Sequence, residues 1–82
     1  MATIIDVRTT EEFTGGHYPG AINIPVEELY RRVDEIKDLP PPFIVYCRSG
    51  NRSSIAVTLL RQSGINDVRD GGALKDMLKK RF

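Results

Sequence analysis

The amino-acid sequence predicts an α/β fold, with a central, mostly parallel sheet of about four strands covered by helices. Short apolar runs rich in β-branched residues alternate along the chain with segments whose apolar residues recur at helical spacing. Glycines and prolines lie between these segments, where turns are expected. Neither repeats nor low-complexity tracts interrupt the pattern, so the 82 residues, 1–82, are expected to form a single domain.

Two strands and a short helix are expected first. Residues 3–7 form an apolar run that is typical of a buried strand, and the next strand is expected at residues 21–24. Between them, Thr9 and Glu12 have the spacing of a capping box, which predicts a short helix that ends at Gly15-Gly16.

A longer helix and an extended connector are expected before the third strand. The helix is predicted over residues 25–36, and its apolar stripe consists of Val26, Leu29, Tyr30, Val33 and Ile36. Residues 39–42 include three successive prolines, which neither continue a helix nor donate to a sheet, so they predict an extended connector. Residues 43–46 predict the third strand.

The last third of the chain predicts two helices around a weak strand. A helix is expected over residues 53–63, with Ser53 or Ser54 as its N-cap. Its predicted buried residues are Ile55, Ala56, Leu59 and Leu60. Residues 67–69 predict a weak fourth strand, and a turn at residues 71–72 leads into a final helix. The apolar residues on one face of that helix are Leu74, Met77 and Leu78.

Composition limits the classes of protein to which the chain can belong. With 40% hydrophobic and 28% charged residues, it is expected to be soluble and globular. A net charge of +1 argues against bulk binding to nucleic acid or to an anionic membrane, so any affinity for anions must be local. The single cysteine cannot form an internal disulfide. With only one histidine, the chain has no cluster of cysteines and histidines at the spacing of a metal site.

Three polar clusters, at residues 6–8, 47–52 and 70–72, fall at or directly after predicted strands. Ligands of open parallel sheets bind beyond the carboxyl ends of the strands, so a site is expected where these clusters meet. In the second cluster, Cys47 ends a strand and precedes a loop and a helix. Loop N–H groups and the positive end of the helix can stabilise a thiolate, and Arg48 and Arg52 add positive charge.

We interpret Cys47 as a nucleophile and the loop that follows it as the binding site for an anionic substrate. The alternative is that Cys47 is only a small, buried hydrophobic residue of the core. Gly50 fits a backbone kink in this loop. Asp6 and Arg8 flank a strand end and are spaced to pair or to tie neighbouring loops together. His17 lies among turn residues, and a thiolate stabilised by amides and arginine needs no base, so a Cys–His dyad is not favoured.

Several motifs occur in order along the chain: Ile-Asp-Val-Arg8, Glu-Glu-Phe13, Gly-His-Tyr-Pro-Gly-Ala-Ile-Asn-Ile-Pro25, Val-Tyr-Cys-Arg-Ser-Gly-Asn-Arg-Ser53 and Asp-Gly-Gly72. Together they resemble the single-domain rhodaneses, the thiosulfate sulfurtransferases, over essentially the whole chain. Within that family the chain is most similar to the compact bacterial sulfurtransferases, including the exported phage-shock type.

The resemblance implies a rhodanese-like fold, with helices on both faces of a sheet whose strands lie in the order 4-3-1-2. Family members usually begin with a further edge strand, which we do not expect here, so four main strands are predicted. The resemblance also implies that Cys47 is the catalytic residue and forms a persulfide, and that Asp6 and Arg8 are structural residues near the site. The implied substrate-binding loop consists of Arg48, Ser49, Gly50, Asn51, Arg52 and Ser53.

The implied reaction moves a sulfane sulfur from thiosulfate, or a similar small anionic donor, to cyanide or a thiol, and it needs no metal or organic cofactor. A protein is a further candidate acceptor, whereas neither nucleic acid nor a membrane is expected as a partner. No apolar run approaches the length of a membrane span. We therefore expect a cytoplasmic protein, or a periplasmic one if an export signal was removed.

Two alternatives stay open at this point. A cysteine-dependent phosphatase or arsenate reductase also places a thiolate before a helix, but in those families five residues separate the cysteine from an arginine. Here four residues separate Cys47 from Arg52, and Ser53 occupies the position of that arginine, which disfavours this alternative. The other alternative is a persulfide carrier that serves a partner protein.

Overall fold

The computed structural model describes residues 2–82, which form a four-stranded parallel sheet with helices on both faces. The elements are β1 (Thr3–Asp6), α1 (Thr10–Thr14), β2 (Ile22–Asn23), α2 (Val33–Lys37), β3 (Phe43–Cys47), α3 (Asn51–Gln62), β4 (Val68–Ala73) and α4 (Leu74–Met77). The strands lie in the order β2-β1-β3-β4, all parallel. This is the predicted order viewed from the opposite edge, so the predicted fold class is confirmed. Within residues 2–82, no helix is both long enough and apolar enough to cross a membrane.

Alternate residues of β3 point to opposite faces of the sheet and so contribute to two hydrophobic clusters. One cluster joins β3 to α2 and α3 and includes Phe43, Val45 and Cys47. The other cluster joins β3 to α1 and α4 and includes Ile44 and Tyr46. With both faces covered, the carboxyl ends of the strands are the edge at which loop residues can form a site.

The predicted helix over residues 25–36 is wrong. Two separate 3₁₀ turns occupy Val26–Glu28 and Tyr30–Arg32, and only Val33–Lys37 is α-helical. Backbone hydrogen bonds in these turns join residues three positions apart. Only the leucine and the isoleucine of the predicted apolar stripe are fully buried, whereas Tyr30 is 78% exposed. Val26 and Val33 pack against the same core but are only half-buried, so the segment buries too little surface to require one continuous α-helix.

Helix α3 begins two residues earlier than predicted, and its N-cap is Gly50 rather than Ser53 or Ser54. Gly50 has a φ of 103°, which glycine adopts without the steric cost that a Cβ would bring. The buried residues of α3 are Ser53, Ala56, Val57 and Leu60. Ile55, predicted to be buried, is 61% exposed because the face that meets the sheet is rotated away from it.

Strand β4 is longer than predicted, since Gly71 and Gly72 lie within it rather than in a turn. The register between β3 and β4 moves by one residue at this point, which makes Gly71 the extra residue of a bulge. A Cβ on Gly71 would lie 2.5 Å from Sδ of Met77, so only glycine fits here without a shift. Helix α4 follows directly but is only four residues long, and Leu78, expected on its apolar face, is 57% exposed.

Candidate active site

Cys47 is the last residue of β3, and its sulfur accepts hydrogen bonds from the loop that follows. The N–H of Gly50 donates to Sγ at 3.0 Å, and the N–H of Ser53 donates at 3.3 Å. Ser53 is the third residue of α3, and its N–H is one of those at the start of a helix that have no partner within the helix. In many helices a capping side chain accepts a hydrogen bond from such an N–H, and here the Cys47 sulfur does so. The sulfur thus faces both N–H groups and the positive end of a helix dipole.

Two opposing effects act on the pKa of Cys47. Burial raises the pKa, because a thiolate without exposed surface loses its hydration. Hydrogen bonds from Ser53, and from the backbone of Gly50 and Ser49, lower the pKa and outweigh burial. The net result is a pKa below the ordinary value for a thiol, which favours the reactive thiolate.

Ser53 is fully buried and joins the cysteine loop to β4. Its hydroxyl donates to Oδ1 of Asp70 at 2.7 Å and lies 3.0 Å from the carbonyl oxygen of Gly50. The N–H of Gly72 donates to the same carboxylate oxygen at 2.9 Å. A hydroxyl has only one proton, and Asp70 accepts it at the shorter distance. The hydrogen bonds that the Cys47 sulfur accepts at these positions therefore come from backbone N–H groups and not from this hydroxyl.

Access to the sulfur is restricted, because Cys47 has no exposed surface. Arg48 and Ser49 are exposed and Gly50 is half-buried, so these residues form the outer side of the loop. A donor can therefore contact Sγ only after some of the residues around it move. Asn51 is also exposed, at the first position of α3.

The two arginines of the loop have different surroundings. Arg52 forms a bidentate pair with Glu12, with Nη1 2.6 Å from Oε1 and Nη2 3.0 Å from Oε2. The hydrogen bond from Arg52 is the main reason that the pKa of Glu12 is lowered to about 2. Glu12 also completes the predicted capping box with Thr9. In contrast, Arg48 has no carboxylate within ion-pair distance among residues 2–82.

Asp6 and Arg8 form a buried ion pair. Nε of Arg8 lies 3.0 Å from both carboxylate oxygens, and Nη2 lies 2.6 Å from Oδ2. The hydroxyl of Tyr46 donates to the same Oδ2 at 2.6 Å, and Arg8 also donates to the carbonyl of Gly16. Burial, together with the hydrogen bond to Asp6, raises the pKa of Tyr46 to about 12. The network thus fixes the end of β1 against β3 and the loop after α1.

His17 lies apart from these contacts. Its ring stacks on Phe13, with 3.7 Å between the centroids, and Nδ1 lies 2.8 Å from the Phe13 carbonyl oxygen. None of the hydrogen bonds in the described part of the chain joins His17 to Cys47.

Comparisons with known proteins identify relatives whose matches cover most of this chain. The family model described as Rhodanese-like domain matches residues 1–72. Thiosulfate sulfurtransferase PspE of Escherichia coli (strain K12) is 38% identical over 74 residues, which cover 89% of this chain and 71% of PspE. A solved structure of a rhodanese with anions from E. coli has a TM-score of 0.85 and 35% identity, and the match covers 93% of this chain and 91% of that one.

The uncharacterized protein YqhL of Bacillus subtilis (strain 168) is 42% identical over 67 residues, which cover 82% of this chain. This chain spans about half of YqhL, since the match covers 52% of that protein.

Proposed function

The chain belongs to the rhodanese-like domain family, and on this premise we propose that it is a sulfurtransferase whose Cys47 carries the transferred sulfur as a persulfide. The family relationship supports sulfur transfer in general, whereas the donor and the residue roles belong to the proposal. The main support for the proposal is that the sulfur of Cys47 accepts hydrogen bonds from two backbone N–H groups. The pKa of Cys47 is lowered. A thiolate is the form that attacks a sulfane sulfur.

In the first half-reaction, the Cys47 thiolate attacks the outer sulfur of thiosulfate. A new S–S bond forms to Sγ, and the bond between the two sulfurs of thiosulfate breaks, with its electron pair leaving on sulfite. Arg48 attracts the donor anion, because it has no acidic partner within residues 2–82. The N–H groups of Ser49, Gly50 and Ser53 then stabilise the anionic persulfide.

In the second half-reaction, cyanide or a thiol attacks the outer sulfur of the persulfide. The S–S bond breaks and its electron pair returns to Sγ, which regenerates the Cys47 thiolate. Cyanide leaves as thiocyanate, and a thiol leaves as a persulfide. A persulfide carrier for a partner protein would share the first half-reaction and differ only in this second one.

The loop gives little support to the phosphatase alternative. Ser53 lies where a phosphatase arginine would be, and its N–H is directed at Cys47. Arg52 is held by Glu12 and is therefore not available to bind a tetrahedral oxyanion. We expect no useful hydrolysis of an aryl phosphate.

Steady-state kinetics with thiosulfate and cyanide test the proposal. Sulfite leaves before the acceptor reacts, so double-reciprocal plots at several fixed cyanide concentrations should give parallel lines. Intersecting lines would indicate that both substrates bind together and would contradict a persulfide intermediate. A dedicated carrier would take up sulfur from thiosulfate but turn over only slowly with cyanide.

A further inference from the structure

Asp70 is a charged residue beside the cysteine loop to which the proposed reaction assigns no role. It is exposed, and no basic side chain lies within ion-pair distance of it among residues 2–82. Its Oδ1 accepts the hydroxyl of Ser53 at 2.7 Å and the N–H of Gly72 at 2.9 Å. The N–H of Gly72 thus holds the carboxylate in the orientation in which it meets the Ser53 hydroxyl.

The sheet register places Asp70 on the same face of the sheet as the sulfur of Cys47. Asp70 is paired with Val45 across β3 and β4, and the side chains of paired residues point to the same face. Val45 and Cys47 are two residues apart on β3 and belong to one hydrophobic cluster. Ser53 joins the two groups, because its hydroxyl contacts the carboxylate and its N–H contacts Sγ. Asp70 can therefore act on the sulfur through Ser53.

The hydroxyl of Ser53 has one proton and several acceptors within reach. Asp70 accepts it at 2.7 Å, and the carbonyl oxygen of Gly50 lies at 3.0 Å. The sulfur of Cys47 is a third acceptor, since the Ser53 side chain is among the groups that lower its pKa. Hydrogen bonds to ionised acceptors are roughly twice as strong as those between neutral groups. If the carboxylate were removed, the hydroxyl would therefore turn to the thiolate in preference to the carbonyl.

A further hydrogen bond to the sulfur would make the thiolate easier to form but slower to react. Donors that bind the ionised form stabilise it and lower its pKa. The nucleophilicity of a thiolate falls with its pKa, with a Brønsted coefficient of about 0.4–0.5. The sulfur of Cys47 already accepts two backbone N–H groups, so a third donor would weaken its attack further.

We propose that Asp70 is a positioning residue, which binds the proton of the Ser53 hydroxyl and so keeps that hydroxyl from the sulfur of Cys47. This inference rests on the proposed function, in which the sulfur is the nucleophile. With the hydroxyl held by Asp70, the sulfur accepts backbone N–H groups alone and keeps the nucleophilicity with which it attacks a sulfane sulfur. Asp70 acts through Ser53 and makes no hydrogen bond to the sulfur itself.

The pH profile of alkylation by iodoacetamide tests this role. The profile gives the pKa of Cys47, the single cysteine of the chain, and its plateau at high pH gives the rate constant of the thiolate. Asp70→Ala removes both the charge and the acceptor. Asp70→Asn is the matched reference, because it removes the same charge but keeps an amide oxygen that can accept both donors of Oδ1. The difference between the two variants therefore reports the acceptor alone.

Relative to Asp70→Asn, Asp70→Ala should lower the pKa of Cys47 by about one unit and the plateau rate constant about threefold, as the Brønsted coefficient predicts for that shift. Sulfur uptake from thiosulfate, followed by intact mass at a pH in the plateau, should slow by a similar factor. Ser53→Ala lacks the hydroxyl but keeps the N–H that Sγ accepts. In a Ser53→Ala background, the two substitutions of Asp70 should therefore give the same profile.

Equal pKa values in Asp70→Ala and Asp70→Asn would overturn the proposal, because the hydroxyl would not have turned to the sulfur. A higher pKa in Asp70→Ala would mean that Asp70 only supports the shape of the loop, and a lower pKa without a slower plateau would leave it no role in reactivity. Either result would overturn the proposal, as would a difference that persists without the Ser53 hydroxyl. Failure of the proposed function is a separate result: wild-type protein that takes up no sulfur from thiosulfate would contradict sulfur transfer, and the role of Asp70 would fall with it.

Discussion

Replacing Cys47 with serine is expected to abolish sulfur transfer while leaving the fold in place. Serine is similar in size, and its oxygen can accept the N–H groups of Gly50 and Ser53. A serine hydroxyl is not ionised near neutral pH, so turnover with thiosulfate and cyanide should fall by at least roughly a thousandfold. Intact-mass spectrometry after incubation with thiosulfate should find an added sulfur on the wild type and none on the variant.

His17→Asn provides the control for this variant. His17 is exposed and contacts Phe13 rather than Cys47, so its replacement should leave both sulfur uptake and turnover at wild-type levels. A Cys47→Ser protein that still took up sulfur or turned over, with a native circular-dichroism spectrum, would show that Cys47 is not the nucleophile.

Replacing Asp6 with alanine should cause a large loss of stability. Asp6 has no exposed surface, and its removal leaves the Arg8 guanidinium, 6% exposed, without a counter-charge and the Tyr46 hydroxyl without its acceptor. Removing one partner of a buried ion pair costs about 3–5 kcal/mol. A domain of 82 residues has a free energy of unfolding on the order of 4–12 kcal/mol, so the variant should lose at least about a quarter of its stability.

Tyr46→Phe is the comparison for this prediction, because it removes a hydrogen bond to Asp6 but keeps the charge pair. It should cost only about 1–2 kcal/mol. Urea unfolding with linear extrapolation measures both free energies. A loss in Asp6→Ala no greater than that in Tyr46→Phe would mean that the ion pair does not hold the end of β1 in place.

The elements that could be predicted from the sequence are those with local signals. Strand β3 is a continuous, fully buried run of apolar residues, and β1 contains the adjacent buried isoleucines Ile4 and Ile5. The capping box of Thr9 and Glu12 forms because both partners lie in a single turn. Strand order has no such local signal, and it was available only through the resemblance to a family.

The errors in the predicted elements have their causes in packing. The apolar stripe over residues 25–36 has helical spacing, but 3₁₀ turns place side chains at similar intervals over so short a distance. Gly71 and Gly72 are residues typical of turns. Here the close approach of Met77 requires glycine inside a strand, and sequence periodicity does not report that contact.

In the site too, contacts between residues close in sequence could be predicted, whereas contacts between distant residues could not. Cys47 and its N–H donors lie within seven residues of one another, so a local motif identifies them. The Glu12–Arg52 pair joins positions 40 apart, and the hydrogen bond from Ser53 to Asp70 joins positions 17 apart. Only the fold determines which carboxylate contacts which partner. The sequence therefore contains no sign of these contacts, except that Asp70 lies in one of the predicted polar clusters.

The proposed sulfur transfer depends on backbone N–H groups of the loop that favour the thiolate form of Cys47 over the thiol. The most direct measurement is a pH titration of the ultraviolet absorbance of the thiolate, with the Cys47→Ser protein as the blank. The hydrogen bonds from Gly50 and Ser53 favour the ionised form, so the midpoint should lie below the ordinary thiol pKa of about 8.5. A midpoint at or above that pKa would show that burial outweighs the hydrogen bonds and would contradict the claim.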